Sequence, residues 1–86
     1  MSKYKSLEIE LENLGVDLNC IRINQTPLDS TFCILNYGNE IEVFFFERGI
    51  KFDLETFDSN DEAIKHFKDM ILPVPFVYKK FTGNSK

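Results

Sequence analysis

The chain is short of the residues that chemistry most often needs. Among its 86 residues there is one histidine, His66, and two cysteines, Cys20 and Cys33. Neither cysteine sits in a C-x-x-C, so a zinc site lacks ligands of the usual kind. Neither thiol has a second histidine to draw on as a base. G-x-S-x-G, P-loop, G-x-G-x-x-G and H-E-x-x-H patterns do not occur. His66 falls in a helical stretch beside Phe67, where a lone histidine reads as a solvated side chain. The expectation is a protein with no catalytic residues, no metal and no cofactor. Glu42 and Glu55 imitate the carboxylate pair of a glycosidase, but a shallow sheet face lacks the cleft that chemistry needs.

An excess of basic charge is missing too. Fourteen acidic residues against ten basic give a net charge of −4, which disfavours nucleic acid and anionic membranes as partners. That charge keeps a small protein soluble and also suits a basic protein partner. No apolar run approaches the ~18 residues of a membrane span. The opening "MSKYKSLEIELENLG" has no apolar core of the signal-peptide kind. The expected setting is the cytoplasm, with both thiols reduced. A length of 86 residues and a hydrophobic fraction of 43% predict one globular domain over 1–86, with 1–5 and 82–86 flexible.

What is present alternates cleanly. In "KSLEIELENLG", Leu7, Leu11 and Leu14 recur at helical spacing while Leu7, Ile9 and Leu11 also alternate as in a strand. The good helix formers and Gly15, placed as a terminating glycine, favour a helix. "NCIRIN" is a short β-like run and "QTPLDS" a loop. "TFCILNY" reads as a strand, Gly38–Asn39 as a hairpin turn, "EIEVFFFE" as a second strand, and Arg48–Gly49 as a turn into "IKFDLETF". Ser59 and Glu62 form a capping box for the clearest helix, whose apolar stripe is Ala63, Ile64, Phe67, Met70 and Ile71. Pro73 ends it. The tail "PVPFVYKKFTGNSK" is either a packed extension or a late edge strand. The sum is an α+β domain: a small antiparallel meander sheet of three to four strands with an N-terminal and a C-terminal helix.

Phe44, Phe45 and Phe46 stand in succession, so both faces of their strand are apolar. With two-residue turns at Gly38–Asn39 and Arg48–Gly49, one face holds Phe32, Ile34, Val43, Phe45, Phe52 and Leu54 and is the expected core under the capped helix. The other carries Cys33, Leu35, Phe44 and Phe46 among Glu42, Lys51, Asp53 and Glu55, with Glu42 directly opposite Glu55. Either the first helix or the tail covers this second face, or it is a binding face whose aromatics supply contact and whose carboxylates steer a basic partner. The candidate partner-binding residues are Glu42, Phe44, Phe46, Glu47, Arg48 and Glu55. Arg48 at the hairpin tip either solvates the turn or reaches a carboxylate on a partner.

Several of these pieces occur together elsewhere. A helix ending in "LGV" (Leu14–Val16), a hairpin entering "ERG" (Glu47–Gly49) and "FDSNDEA" (Phe57–Ala63) opening the last helix resemble a group of short bacterial proteins. That group is identified with immunity proteins encoded beside polymorphic secreted toxins, NAD-hydrolysing toxins among them. The likeness spans most of residues 7–72. It implies a non-catalytic protein that neutralises its cognate toxin by occlusion. Two other readings are a homodimeric module that pairs its second face with itself and a regulator that binds a small molecule.

Overall fold

The leucine–glutamate alternation near the start folds as a helix, α1 (Lys3–Asn13), and its end shows why. Gly15 has φ +94°. The Gly15 N–H donates to Glu12 and the Val16 N–H to Leu11, the paired bonds of a Schellman motif. Val16 and Leu11, which that motif brings together, are both fully buried. A 3-10 turn (Leu18–Cys20) follows. Then come β1 (Ile21–Ile23), β2 (Thr31–Asn36), β3 (Ile41–Glu47), β4 (Ile50–Phe57), α2 (Asn60–Ile71) and a second 3-10 turn (Pro75–Val77). The computed structural model describes residues 3–79. Lys3, Tyr4 and Lys5 begin α1, while the remainder of the expected flexible ends, 1–2 and 82–86, lies outside the described residues.

The sheet runs β1-β2-β3-β4, and the fold is α+β. β2, β3 and β4 form the expected antiparallel meander, but β1 lies parallel to β2. A parallel neighbour normally needs a long crossover. Here β1 is only three residues long, so the connection 24–30 has little distance to recover. Positive φ at Asn24 and Ser30, one at each end, turns the chain back.

The pairing of β2 with β3 is the expected one, Phe32 opposite Phe45 and Ile34 opposite Val43. The pairing of β3 with β4 starts as expected and then slips. Glu47 faces Ile50 and Phe45 faces Phe52, but Val43 faces Glu55 and Glu42 faces Thr56. A bulge at Asp53, which holds φ +56°, inserts one residue into β4. Glu42 and Glu55 therefore lie on opposite faces, and the expected like-charge pair does not form. The carboxylate of Glu42 instead accepts from Lys51 Nζ at 2.7 Å.

Both helices pack on the face that bears Ile21, Phe32, Ile34, Ile41 and Val43. The core there joins Leu7 and Leu11 of α1 to Ala63, Phe67 and Ile71 of α2. The serine half of the capping box is in place, Ser59 Oγ accepting from the Glu62 N–H. Tyr4, Asn36 and Asn60 bridge α1, β2 and α2 by hydrogen bonds of 2.6–3.4 Å. The tail is a packed extension. Val77 is fully buried, its carbonyl accepts from the Asp17 N–H, and Tyr78 pairs with Val16 in one isolated bridge. The expected core members Phe52 and Leu54 are 45% and 43% exposed. Phe52 lies on the helix side near the open end of the outermost strand, and the bulge puts Glu55 opposite Val43 and so turns Leu54 to the other face.

Candidate binding surface

The three successive phenylalanines divide between the faces as expected, Phe45 toward the helices and Phe44 and Phe46 away from them, and it is the face away from the helices that buries its ring more fully. Phe44, on the face away from the helices, has no exposed surface, and neither has its cross-strand partner Cys33. Neither the first helix nor the described part of the tail, both of which pack with the helix-side core, covers them. The connection 24–30 folds onto this face instead. Arg22 Nε donates to the Thr26 carbonyl at 2.9 Å, Thr31 Oγ1 donates to the Leu28 carbonyl at 2.6 Å, and residues 24–27 border a depression with Leu35 and Tyr37. From the other side Lys51 lies over the Phe44 ring, Nζ 4.9 Å from its centroid, and Phe46 meets that ring edge-on at 6.3 Å. This is a second small core, sealed by a cation–π contact and an ion pair. Phe44 cannot touch a partner in this fold. Glu42 is occupied with Lys51, Phe46 is half-buried, and Glu55 faces the helix side.

On the helix side a row of rings crosses the sheet. Phe76 stacks on Phe32 at 6.0 Å, Phe32 lies 4.7 Å from Phe45, and Phe45 pairs with Phe52. The middle of the row is covered and its ends are open, Phe76 at 46% and Phe52 at 45% exposure. Ile50 adds a further exposed apolar side chain at 54%. Ile50 and Phe52 border an open depression of about 280 Å³ with Glu47 and Arg48. Of the sequence-predicted residues, the structure thus brings Glu47 and Arg48 to one surface. Ile50, Phe52 and Phe76 are the members that sequence reasoning placed elsewhere. The alternation in "IKFDLETF" marked Ile50 and Phe52 as apolar, but nothing in it showed that their strand is the uncovered edge.

Arg48 is held in a conformation that arginine seldom adopts. Arg48 has φ +54° and Gly49 +77°, the signature of a type I′ turn, where asparagine or glycine is favoured at the first position. The connection 24–30 braces it: Asp29 Oδ1 accepts from the Arg48 N–H at 3.0 Å and the Phe46 carbonyl accepts from the Ser30 N–H. The Arg48 guanidinium makes no hydrogen bond or ion pair among the described residues. A left-handed non-glycine residue costs folding free energy, so Arg48→Asn should stabilise the domain by about 0.5–1 kcal/mol. Equilibrium urea unfolding measures it, and unchanged stability would mean that the turn bears no strain.

Burial raises the Cys33 thiol above its ordinary 9.0, partly offset by Thr31, Arg22 and Lys51. Burial also raises Tyr4, and the hydrogen bond to Glu42 raises Lys51. In each case the folded protein holds its proton to higher pH than the unfolded chain does. The unfolded state therefore loses protons first as pH rises, and stability falls. Melting temperature should be level up to about pH 8 and decline above about pH 9. The decline should be shallower in Cys33→Ala, where Cys20, also raised by burial, still contributes, and a curve that rises above pH 9 would contradict the assignment.

His66 is half-buried, its ring 5.2 Å from that of Phe57. It borders a depression with Asp53, Glu55, Asp69 and Met70. Among the described residues no three histidine, cysteine or acidic side chains group in a way that would hold a metal ion, and no helix is long and apolar enough to cross a membrane. No family model, curated protein or solved structure matches the chain.

Proposed function

We propose that this is a non-catalytic binding protein, an immunity protein that neutralises a cognate secreted toxin by occluding its active site. The observation that carries the reading is the hairpin end of the helix-side face. There Ile50 and Phe52 remain exposed beside a strained, braced Arg48 whose guanidinium is unengaged among the described residues, and Phe76 is exposed at the far end of the ring row. Exposed aromatics ringed by charge are what protein interfaces use, and strain retained at an exposed tip is characteristic of functional sites. The resemblance of "ERG" and "FDSNDEA" to immunity proteins supplies the kind of partner, and the net charge of −4 suits a basic toxin in the cytoplasm.

In this reading the rings provide contact area and Arg48 provides a planar fork for a carboxylate on the toxin. Arg48→Ala should weaken toxin binding by about tenfold or more, mainly through faster dissociation. Co-expression with the toxin domain encoded beside it, followed by calorimetry on the purified pair, tests the proposal. Protection of the host cell and a stoichiometric complex are expected. A toxin that stays active and unbound would end the reading.

A further inference from the structure

The outer edge of β4 has its own chemistry. β4 is the last strand of the sheet and eight residues long. Among the described residues nothing pairs with its far side. Natural edge strands are kept short, bulged, covered by a neighbouring element, or guarded by a lysine, and the bulge at Asp53 interrupts β4 only midway, leaving 50–52 and 55–57 in regular register on either side. The lysine of β4 does not guard it, because Lys51 is drawn onto the opposite face by Glu42 and the Phe44 ring. What borders the edge is acidic: Asp53 and Glu55 on the strand and Asp69 on α2, the last already paired with Lys65 at 3.0 Å, around an open depression of about 320 Å³. Ile50 and Phe52 stand exposed on the same face of the strand, and Leu54 on the other.

We propose that β4 accepts an extended, basic polypeptide segment of the partner as a fifth strand. The proposal rests on the reading of the chain as a binding protein and names how it binds. Main-chain N–H and C=O groups of the segment pair with the free edge. Its apolar side chains cover Ile50 and Phe52. Its lysine or arginine side chains reach Asp53 and Glu55 and share Asp69 with Lys65. Ladder bonds supply affinity in such additions, and alternate side chains supply selectivity. The carboxylates set the sign, since an acidic segment would place like charges opposite one another. A second copy of the chain is the poorer occupant for the same reason. Two acidic edges repel, and two bulged strands interrupt each other's ladder at Asp53.

The full-length protein is titrated with a short extended peptide, following amide shifts and amide hydrogen exchange by NMR. One face of the peptide carries valines in the half that meets Ile50 and Phe52 and lysines in the half that meets Glu55, with threonine on the other face. A counterpart in which glutamate replaces lysine is titrated in the same way. The lysine peptide should shift and protect amides within 50–57, and the glutamate peptide should leave them unchanged. Asp53→Asn/Glu55→Gln/Asp69→Asn, which removes charge without altering shape, should raise the dissociation constant of the lysine peptide about tenfold at low salt. Equal effects of the two peptides, perturbation confined to other strands, or a concentration-dependent mass that shows a second copy on the edge would overturn the proposal. The toxin separates this inference from the proposed function. A toxin that binds without protecting 50–57 overturns strand addition and leaves the binding function standing. Peptide addition with no toxin binding supports strand addition and overturns the immunity reading.

Discussion

Phe44→Ala should cost about 3–5 kcal/mol of folding free energy, the loss expected for a fully buried aromatic ring. That is a large share of the roughly 5–15 kcal/mol available to a whole domain, so the variant should be substantially unfolded at moderate urea. The ring has no exposed surface and is the seat of the Lys51 contact at 4.9 Å. Its removal opens a cavity between Cys33 and the connection 24–30 and leaves Lys51 without its aromatic platform. Phe45→Ala should cost less, because Phe45 is half-buried near the open end of the sheet. Urea midpoints for the two variants measure the difference. A larger loss at Phe45 than at Phe44 would mean that the loop-covered face is not a core.

Gly49→Val carries the second large effect. At φ +77° a β-branched side chain is a steric outlier, and the strain should cost about 1–3 kcal/mol. The loss should be absent in Gly49→Asn, since asparagine tolerates the left-handed region. Because Gly49 and Arg48 turn together, the valine variant should also misplace Ile50 and Arg48 and, under the proposed function, weaken binding of the toxin beyond what its stability explains. Calorimetry at a temperature where the variant remains folded checks this. A valine variant as stable as the parent would show that the turn is not the tight one observed.

Much of the architecture was legible in the chain because local signals agreed with the tertiary outcome. Gly15 ended α1, the Ser59–Glu62 box began α2, and the two hairpin turns fixed Phe32 opposite Phe45 and Phe45 opposite Phe52. What was not legible depended on one residue and one loop. The slip at Asp53 has no sequence mark beyond an aspartate in a strand, yet it moves Glu55 to the other face from Glu42. The connection 24–30 reads only as a turn-rich loop. Its return path makes β1 parallel, buries Phe44 and Cys33, and braces Arg48 through Asp29. Strand alternation identified the two faces correctly, but a period of two cannot say which face a loop will cover. For that reason the candidate surface moved from Phe44 and Phe46 to Ile50, Phe52 and Phe76, while Glu47 and Arg48 stayed within it.

The proposed partner site lies on the helix side of the hairpin. The most direct measurement compares the affinity of Phe52→Ser and Phe46→Ser for the proposed cognate toxin, with circular dichroism confirming that both variants are folded. Phe52 stands open on the helix side, and Phe46 packs against Phe44 on the loop-covered side. Phe52→Ser should weaken binding by about tenfold to a hundredfold, as loss of a packed aromatic anchor does, and Phe46→Ser should leave it within about threefold of the parent. The reverse order, with Phe46 essential and Phe52 silent, would contradict the surface assigned here and return the partner to the opposite face.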